Sequence, residues 1–583
     1  ENGVFRKGNV RISDLTGRKM LPIGNSNFIT VVENSVFIDK SMLVADVLDS
    51  GAVATLFCRP RRFGKSLNLS MLQSFLEIPS PNDPSAMDTT PLFQNLAVWD
   101  AEGGRYQEYF QAYPVVRISF NDAKQLAWDE ASAAIRGNIS VEYERHAYLA
   151  QSDRISDTER AYVATIMEGR LSTDMGRSLL NLCRLLFKHH GRRAVVLIDE
   201  YDAPVMAGYT YGYYQEVVAF LKGWLTGALK DNNALAFAVL TGVQRITKES
   251  IFSDLNNLKV STALNVVSDE RYGFTDDEVD ALAEYLDVPD DAGKARKWYD
   301  GYRFGGVDVY NPWSVLNFFD SGCVADVYWG NTSSNSVLGE MVRCADDRTW
   351  ERLYTLMKPE GTVSESLDLG VVFPDAGIRS GALWSMLYLA GYLTTEDTEL
   401  PNNTRRERPL RIPNAEIREL FRAEIVDRFS EVSGNGGRLV ELHRALTEGE
   451  ADVATEEFKG VLYESASCFD LTRENSYHML VLGLLFGMCG YEDPISNREA
   501  GKGRFDVRVQ PIDPDRRPVI VLELKYARPD TPKAENLDEL ARAALAQARD
   551  RVYGVGAHSG RAGTLFWGVA VSGKNVACVC EEA

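Results

Sequence analysis

The sequence predicts a multidomain α/β protein. Two signatures and one pattern point that way. Arg59-Pro60-Arg61-Arg62-Phe63-Gly64-Lys65-Ser66 reads as a phosphate-binding loop. Gly503-Arg504-Phe505-Asp506 followed by Glu523-Leu524-Lys525 reads as a metal-dependent nuclease core. Between them, apolar strands alternate with helical stretches, the pattern of a parallel sheet with helices on both faces. At 583 residues the chain exceeds what one hydrophobic core organises, so two to four domains are expected.

The first strand is Val53-Ala54-Thr55-Leu56-Phe57-Cys58. The loop follows, then a helical pattern of Leu67, Leu69, Met71, Leu72, Phe75 and Leu76. Strand, loop, helix is the context a phosphate-binding loop requires. Three more apolar strands are expected at Val115–Phe120, Ala194–Ile198 and Ala236–Leu240, with helices over 160–189 and 214–230. The glycines and prolines of 301–312 mark a change, and 313–465 reads as mostly helical with a polar break near 394–410. Within that break, Asn402–Arg408 reads as a solvated loop. The last unit should hold an apolar helix at Tyr477–Met488, strands at 504–510 and 518–525, a helix at 533–552 and strands at 564–572 and 575–580. Gly483 and Gly487, four apart, predict a close helix contact. The expected domains are 1–270, 271–465 and 466–583.

Composition narrows the function. A net charge of −20 argues against indiscriminate nucleic-acid binding. From Asp470 onward 15 Lys and Arg oppose 16 Asp and Glu, so a nucleic-acid surface belongs on the last domain. No run reaches the roughly 18 apolar residues of a membrane span, and no membrane role is expected. The opening Glu1-Asn2-Gly3-Val4-Phe5 does not read as a signal peptide and, lacking an initiator Met, leaves a removed leader open. Eight scattered cysteines make no disulfide framework, so a cytoplasmic setting is expected. Cys578 and Cys580 read as core packing rather than a zinc site.

A phosphate loop needs converging amides, a lysine for the β/γ oxygens and a hydroxyl for Mg²⁺. Gly64, Lys65 and Ser66 supply the last three parts. Arg59 stands where the generic first glycine would, and Pro60 removes an amide donor. Val195–Glu200 is an apolar strand ending in two acids. Asp199 suits a Mg²⁺-bound water, and Glu200 suits the attacking water. Thr241 caps the next strand, where it could sense a γ-phosphate. Arg245 would contact phosphate in cis, reach a neighbouring subunit, or be a plain surface arginine. Arg61 and Arg62 add positive potential or pair with acids elsewhere.

Phosphodiester hydrolysis needs carboxylates converging on hard cations and a group to orient water. Asp506 falls within one strand and Glu523 within the next. Lys525, two residues on, leaves the same face as Glu523. Glu474, before the glycine-bearing helix, could add a carboxylate. Gln547, on the helix after the Glu-x-Lys strand, could orient substrate or water. His478 is a further polar member of the cleft or a packed histidine. An oxygen-rich set suits Mg²⁺ or Mn²⁺.

With these motifs in view, the chain resembles a bacterial family, common in gut anaerobes and of unknown function. It joins an N-terminal AAA-ATPase-like domain to a C-terminal PD-(D/E)xK nuclease-superfamily domain. Leu21–Gly24, Phe37–Ser41, Arg59–Leu67, Leu197–Tyr201 with Asp202, and Thr241–Val243 carry the likeness. So do Tyr272–Thr275, Trp298–Phe304, Tyr310–Ser314, Tyr477-His478, Ser496–Glu499 and the Gly503–Asp506 and Glu523–Lys525 motifs. The resemblance implies a P-loop NTPase fold, a helical middle region and a restriction-endonuclease-like α/β domain. It implies ATP and Mg²⁺ at Lys65, Ser66 and Asp199, with Glu200 as the hydrolytic carboxylate. It implies metal at Asp506 and Glu523, with Lys525 as the catalytic lysine. DNA is the expected substrate, with RNA left open, and a homo-oligomer or protein partner is possible. Two other readings stand beside this one: a nucleotide-dependent switch that binds without cutting, and an assembly protein whose nuclease fold serves as a docking module.

Overall fold

The structure is a computed structural model describing residues 3–80, 87–169, 175–244, 251–252, 257–330, 338–339, 346–358, 360–369, 382–397, 407–432, 436–465, 474–496, 506–529, 531–552 and 560–582. It divides into two compact units. One comprises 1–333 and 362–417, the other 334–361 and 418–583.

The first unit is built on a five-stranded parallel sheet: β1 (Ala54–Cys58), β2 (Val115–Ser119), β3 (Ala194–Asp199), β4 (Leu235–Gly242) and β5 (Leu258–Ser261). The order is β2-β3-β4-β1-β5. Four strands are those expected. The fifth, β5, is an addition: its mixed sequence Leu-Lys-Val-Ser gives only a weak strand signal. Ala54, Leu56, Cys58, Val196, Ile198, Ala238 and Leu240 face a core filled by helices that include α2 (Trp128–Arg145), α3 (Ser178–His190) and α4 (Tyr214–Leu229). Helix α1 (Lys65–Leu76) packs against β2, β3 and β4. Because β4 lies between β1 and β3, the loop after β1 and the acids after β3 open at the same sheet end, one strand apart.

The middle of the chain is helical as expected, including α5 (Pro312–Asp320) and α6 (Ala415–Val432). It also holds an unexpected antiparallel pair, Val363–Ser366 with Glu407–Leu410. Arg408, read as loop, is instead a buried member of that pair; Asn402–Arg406 lie outside the described residues.

The second unit carries a mixed sheet of β6 (Ile495–Ser496), β7 (Asp506–Val509), β8 (Val519–Tyr526), β9 (Thr564–Ser572) and β10 (Asn575–Glu582), in chain order across the sheet. Only β8 and β9 run parallel. Helix α7 (Glu474–Leu484) stops four residues before the expected end. The chain then turns, and Gly487 takes a φ of +75°, which favours glycine. The close approach is real: a Cβ on Gly483 would fall 1.9 Å from the Phe429 ring, and one on Gly487 2.8 Å from Val426. The helix expected at 533–552 breaks at Asn536 into Pro532–Glu535 and α8 (Leu537–Val552). Among the described residues no helix is long and apolar enough to cross a membrane.

Candidate functional sites

The phosphate loop spans β1 and α1. Gly64 sits at φ +79° before the first helical turn, and Arg62, a non-glycine, is also left-handed at φ +69°. Such backbone persists where surroundings hold it, commonly at functional loops. Lys65 is buried. Its Nζ donates to the carbonyls of Arg59 (2.9 Å) and Pro60 (2.7 Å). Burial lowers its pKa, against the pull of Glu200, Asp202 and Asp199. Ser66, in the first turn of α1, is half-buried.

The sheet order brings Asp199 to Thr241. The Thr241 hydroxyl donates to Asp199 Oδ1 at 2.5 Å, and both are buried. Glu200 is half-buried, left-handed at φ +49°, and pairs with Lys124 at 3.0 Å. Asp202, quoted above only as part of a motif, anchors the end of β4. Its Oδ2 accepts the amides of Val243 (2.8 Å) and Gln244 (2.9 Å). Burial raises its pKa despite those bonds. Gly242 is required there, because a Cβ would lie 2.7 Å from Tyr201 and 2.9 Å from Asp202. Arg245 lies outside the described residues.

Arg59 is buried and its guanidinium turns away from the loop. It donates to the carbonyls of Cys58 and Ser261, both at 2.9 Å, and lies over the rings of Tyr272 (5.2 Å) and Phe304 (5.5 Å). It therefore ties β1 to the end of β5. Phe63 packs on Tyr302 and Phe304, each at 5.0 Å between ring centres. The Arg62 guanidinium stacks 4.3 Å over Trp313, and the Trp329 indole N–H donates to the Arg61 carbonyl at 3.3 Å. Arg61 and Arg62 themselves are exposed. The family-like stretches at Tyr272, Tyr302–Phe304 and Trp313 thus form one cage around the loop, which no local sequence signal announces.

Glu416, near the start of α6, belongs to that cage. It is buried, and accepts the Trp329 amide and the Ser314 hydroxyl, both at 2.7 Å. Burial raises its pKa to about 7, with Asp326 adding to the rise; Tyr299 and Tyr302 are the other titratable groups that feel its charge. The sign follows. Between the ordinary value near 4.5 and about 7 the native state holds a proton that the unfolded chain has released. This group's contribution to stability therefore falls as pH rises through that window. Glu416→Gln, which cannot titrate, is expected to flatten that part of the stability–pH curve; equal slopes for both proteins in melts between pH 5 and 8 would refute it.

In the second unit, strand register assembles the acids. Asp506 is the direct cross-strand partner of Glu523. Directly opposed residues share one sheet face, as do positions two apart on a strand. Asp506, Glu523 and Lys525 thus occupy one face. Glu523 is only 2% exposed, and Lys525 is half-buried. Helix α8 covers this face. On the other side of Glu523 stands Gly568, where a Cβ would fall 2.1 Å from the Ala541 carbonyl oxygen and 2.5 Å from the Leu545 amide. Backbone blocks it on both counts. Gly568→Ala is expected to push α8 off the sheet beside Glu523 and cost about 2–3 kcal/mol. A melting midpoint unchanged from the parent would contradict this.

The neighbours of Gln547 on α8, Leu545 and Ala548, pack on Val519, Val521 and Phe566, and Leu545 also closes on Gly568 beside Glu523. Helix α7 lies on the alternate face, where Tyr477 stacks on Tyr526 at 5.2 Å. Glu474 begins that helix; its side chain lies outside the described residues, as does that of Asp506. His478 is a packed histidine, buried with Nε2 3.2 Å from Ser496 Oγ. Cys578 is buried and Cys580 half-buried. Among the described residues no cluster of three or more His, Cys, Asp or Glu could hold a metal.

The class is now defined. Residues 22–252 match the family described as predicted AAA-ATPase, and residues 472–581 match the PD-(D/E)XK nuclease superfamily. The chain carries both domains in one polypeptide. A relative, the "uncharacterized protein in vnfD 5′ region" of Azotobacter chroococcum, is 26% identical over 505 residues, covering 84% of this chain and 87% of its own length. A Walker-type ATPase of Pyrococcus abyssi aligns structurally over 70% of this chain and 99% of its own, at 13% identity and a TM-score of 0.33.

Proposed function

We propose that this protein is an ATP-binding and ATP-hydrolysing, divalent-metal-dependent nuclease acting on DNA phosphodiesters. The observation that carries the nuclease half is the Asp506–Glu523 register, with Lys525 on the same face. Two carboxylate residues at opposed positions fit a hard cation, Mg²⁺ or Mn²⁺, which supplies Lewis acidity and a more acidic bound water. Asp506 and Glu523 would hold it, and Glu474 is the further carboxylate to test. Lys525 offsets charge developing on the scissile phosphate and orients the attacking water. Gln547 is assigned to substrate contact rather than to the metal.

At the loop, Lys65 binds phosphate oxygens in place of the Arg59 and Pro60 carbonyls. Gly64 presents its amide, and Arg61 and Arg62 add positive potential. Ser66 and Asp199 would hold Mg²⁺, with Thr241 orienting Asp199. Glu200 orients water once released from Lys124. Arg245 is proposed to reach phosphate, in cis or from a neighbouring copy. Functionally the chain divides at 270/271 and 465/466, and a cytoplasmic setting follows from its chemistry.

One observation favours a second reading. Glu200 is engaged by Lys124, which suits a switch that binds nucleotide without turning it over. The test is cleavage of plasmid and single-stranded DNA and RNA with Mg²⁺ or Mn²⁺, with and without ATP, alongside phosphate release. Cleavage lost in Asp506→Ala supports the nuclease. Nucleotide binding with neither cleavage nor phosphate release would leave the switch.

A further inference from the structure

The loop reaches α6 through two hydrogen-bonded steps, one partly buried and one buried. The Arg61 carbonyl accepts the Trp329 indole N–H, and the Trp329 backbone N–H is accepted by Glu416. Arg61 immediately precedes Arg62, the left-handed non-glycine of the loop. A carbonyl pinned at that point restrains the peptide leading into the left-handed turn, and with it the amides that follow. Trp329 is only 1% exposed and meets Tyr392 edge-on at 5.1 Å, so the indole has little freedom to swing. Ser314 braces Glu416 from the first turn of α5, one residue after the Trp313 that stacks on Arg62. Two elements far apart in sequence, α5 and α6, therefore converge on one acid and hold one loop.

We propose that Trp329 and Glu416 are positioning residues of the phosphate loop, setting its affinity for nucleotide from outside the site through the Arg61 carbonyl. The inference rests on the nucleotide-binding reading above and names what tunes it. It separates the side chains that would touch phosphate, such as Lys65, from those that fix the backbone donors. Pre-set donors bind without a reorganisation cost, whereas a slackened loop must be ordered by the ligand.

Trp329→Phe keeps an aromatic ring but removes the indole N–H together with part of the buried ring, so its melting midpoint is read beside its affinity and the Glu416 variants separate the hydrogen bond from the lost packing. Binding of a fluorescent ATP analogue to the full chain is expected to weaken about fivefold, the worth of one hydrogen bond. Glu416→Ala is expected to weaken it at least as much. Glu416→Gln, which keeps an acceptor for the Trp329 amide, should restore most of the affinity. A purely structural role would lower the melting midpoint without this rescue. Wild-type affinity in Trp329→Phe, alongside lost binding in Lys65→Ala, would overturn the positioning role and leave the nucleotide site standing. Binding equally weak in the parent and in Lys65→Ala would overturn both.

Discussion

Lys65→Ala is expected to weaken ATP binding by about 10- to 150-fold, the range for a charge-assisted hydrogen bond to phosphate worth ~1.5–3 kcal/mol. The ammonium is buried, and its two acceptors are carbonyls of its own loop, Arg59 and Pro60. Burial depresses its pKa, so the folded protein holds this charge at a cost. An anionic ligand relieves that cost, which makes the lysine worth more with nucleotide than without it. The substitution removes a strained charge and leaves two carbonyls short of a donor, and these effects oppose each other. Stability should therefore change by less than about 1 kcal/mol while affinity collapses. Calorimetric titration with ATP and Mg²⁺, beside thermal melts, measures both. A large stability loss with affinity retained would make Lys65 a structural residue and remove the loop from the nucleotide site.

Much of this arrangement was legible in the sequence because its signals are local. Ala54–Cys58, the loop and Lys65–Leu76 are contiguous, and the apolar run to Asp199 announces a buried strand ending in acids. The Glu523-x-Lys525 spacing places two charges on one face by strand periodicity alone. What escaped depends on residues distant in the chain. Arg59 looks like an intruder at a glycine position until Ser261, Tyr272 and Phe304, over 200 residues later, are seen to receive it. Glu416 reads as an ordinary acid in a first helical turn, where it complements the helix dipole; only the fold brings Ser314 and Trp329 to it. Strand β5 and the pair Val363–Ser366 with Glu407–Leu410 are short and carry Lys259, Glu365 and Arg408, so their apolar pattern is thin. Glu474 and Gln547 are read from their order along the chain, and the fold adds the elements that carry them. Helix α7 lies on the face of Tyr526, and the residues flanking Gln547 pack on Val519 and Val521, with Leu545 against Gly568 beside Glu523.

Glu523→Gln is expected to abolish cleavage while leaving the second unit folded. Asp506 and Glu523 are directly opposed across β7 and β8. Glu523 is buried, and a glutamine keeps its shape while removing the charge a cation would need. Carboxylate residues at opposed positions are what a divalent cation would bind. Losing one should therefore cost the several kcal/mol that a cation contributes to a transition state, at least about 10³-fold in rate. Metal linkage supplies a second readout that needs no substrate. Added Mg²⁺ or Mn²⁺ at ~100 times its dissociation constant should stabilise the parent by about 2.7 kcal/mol, and should not stabilise Glu523→Gln. Chelator should return the parent to its metal-free midpoint. Lys525→Met separates the roles further, since it removes the positive charge but leaves both carboxylates, and so should lose cleavage yet keep the metal-dependent rise. A Glu523→Gln protein that fails to fold would mean that Glu523 acts as a structural charge. If instead the variant is stable but metal still raises its midpoint as in the parent, the cation binds elsewhere and the opposed acids are not its site.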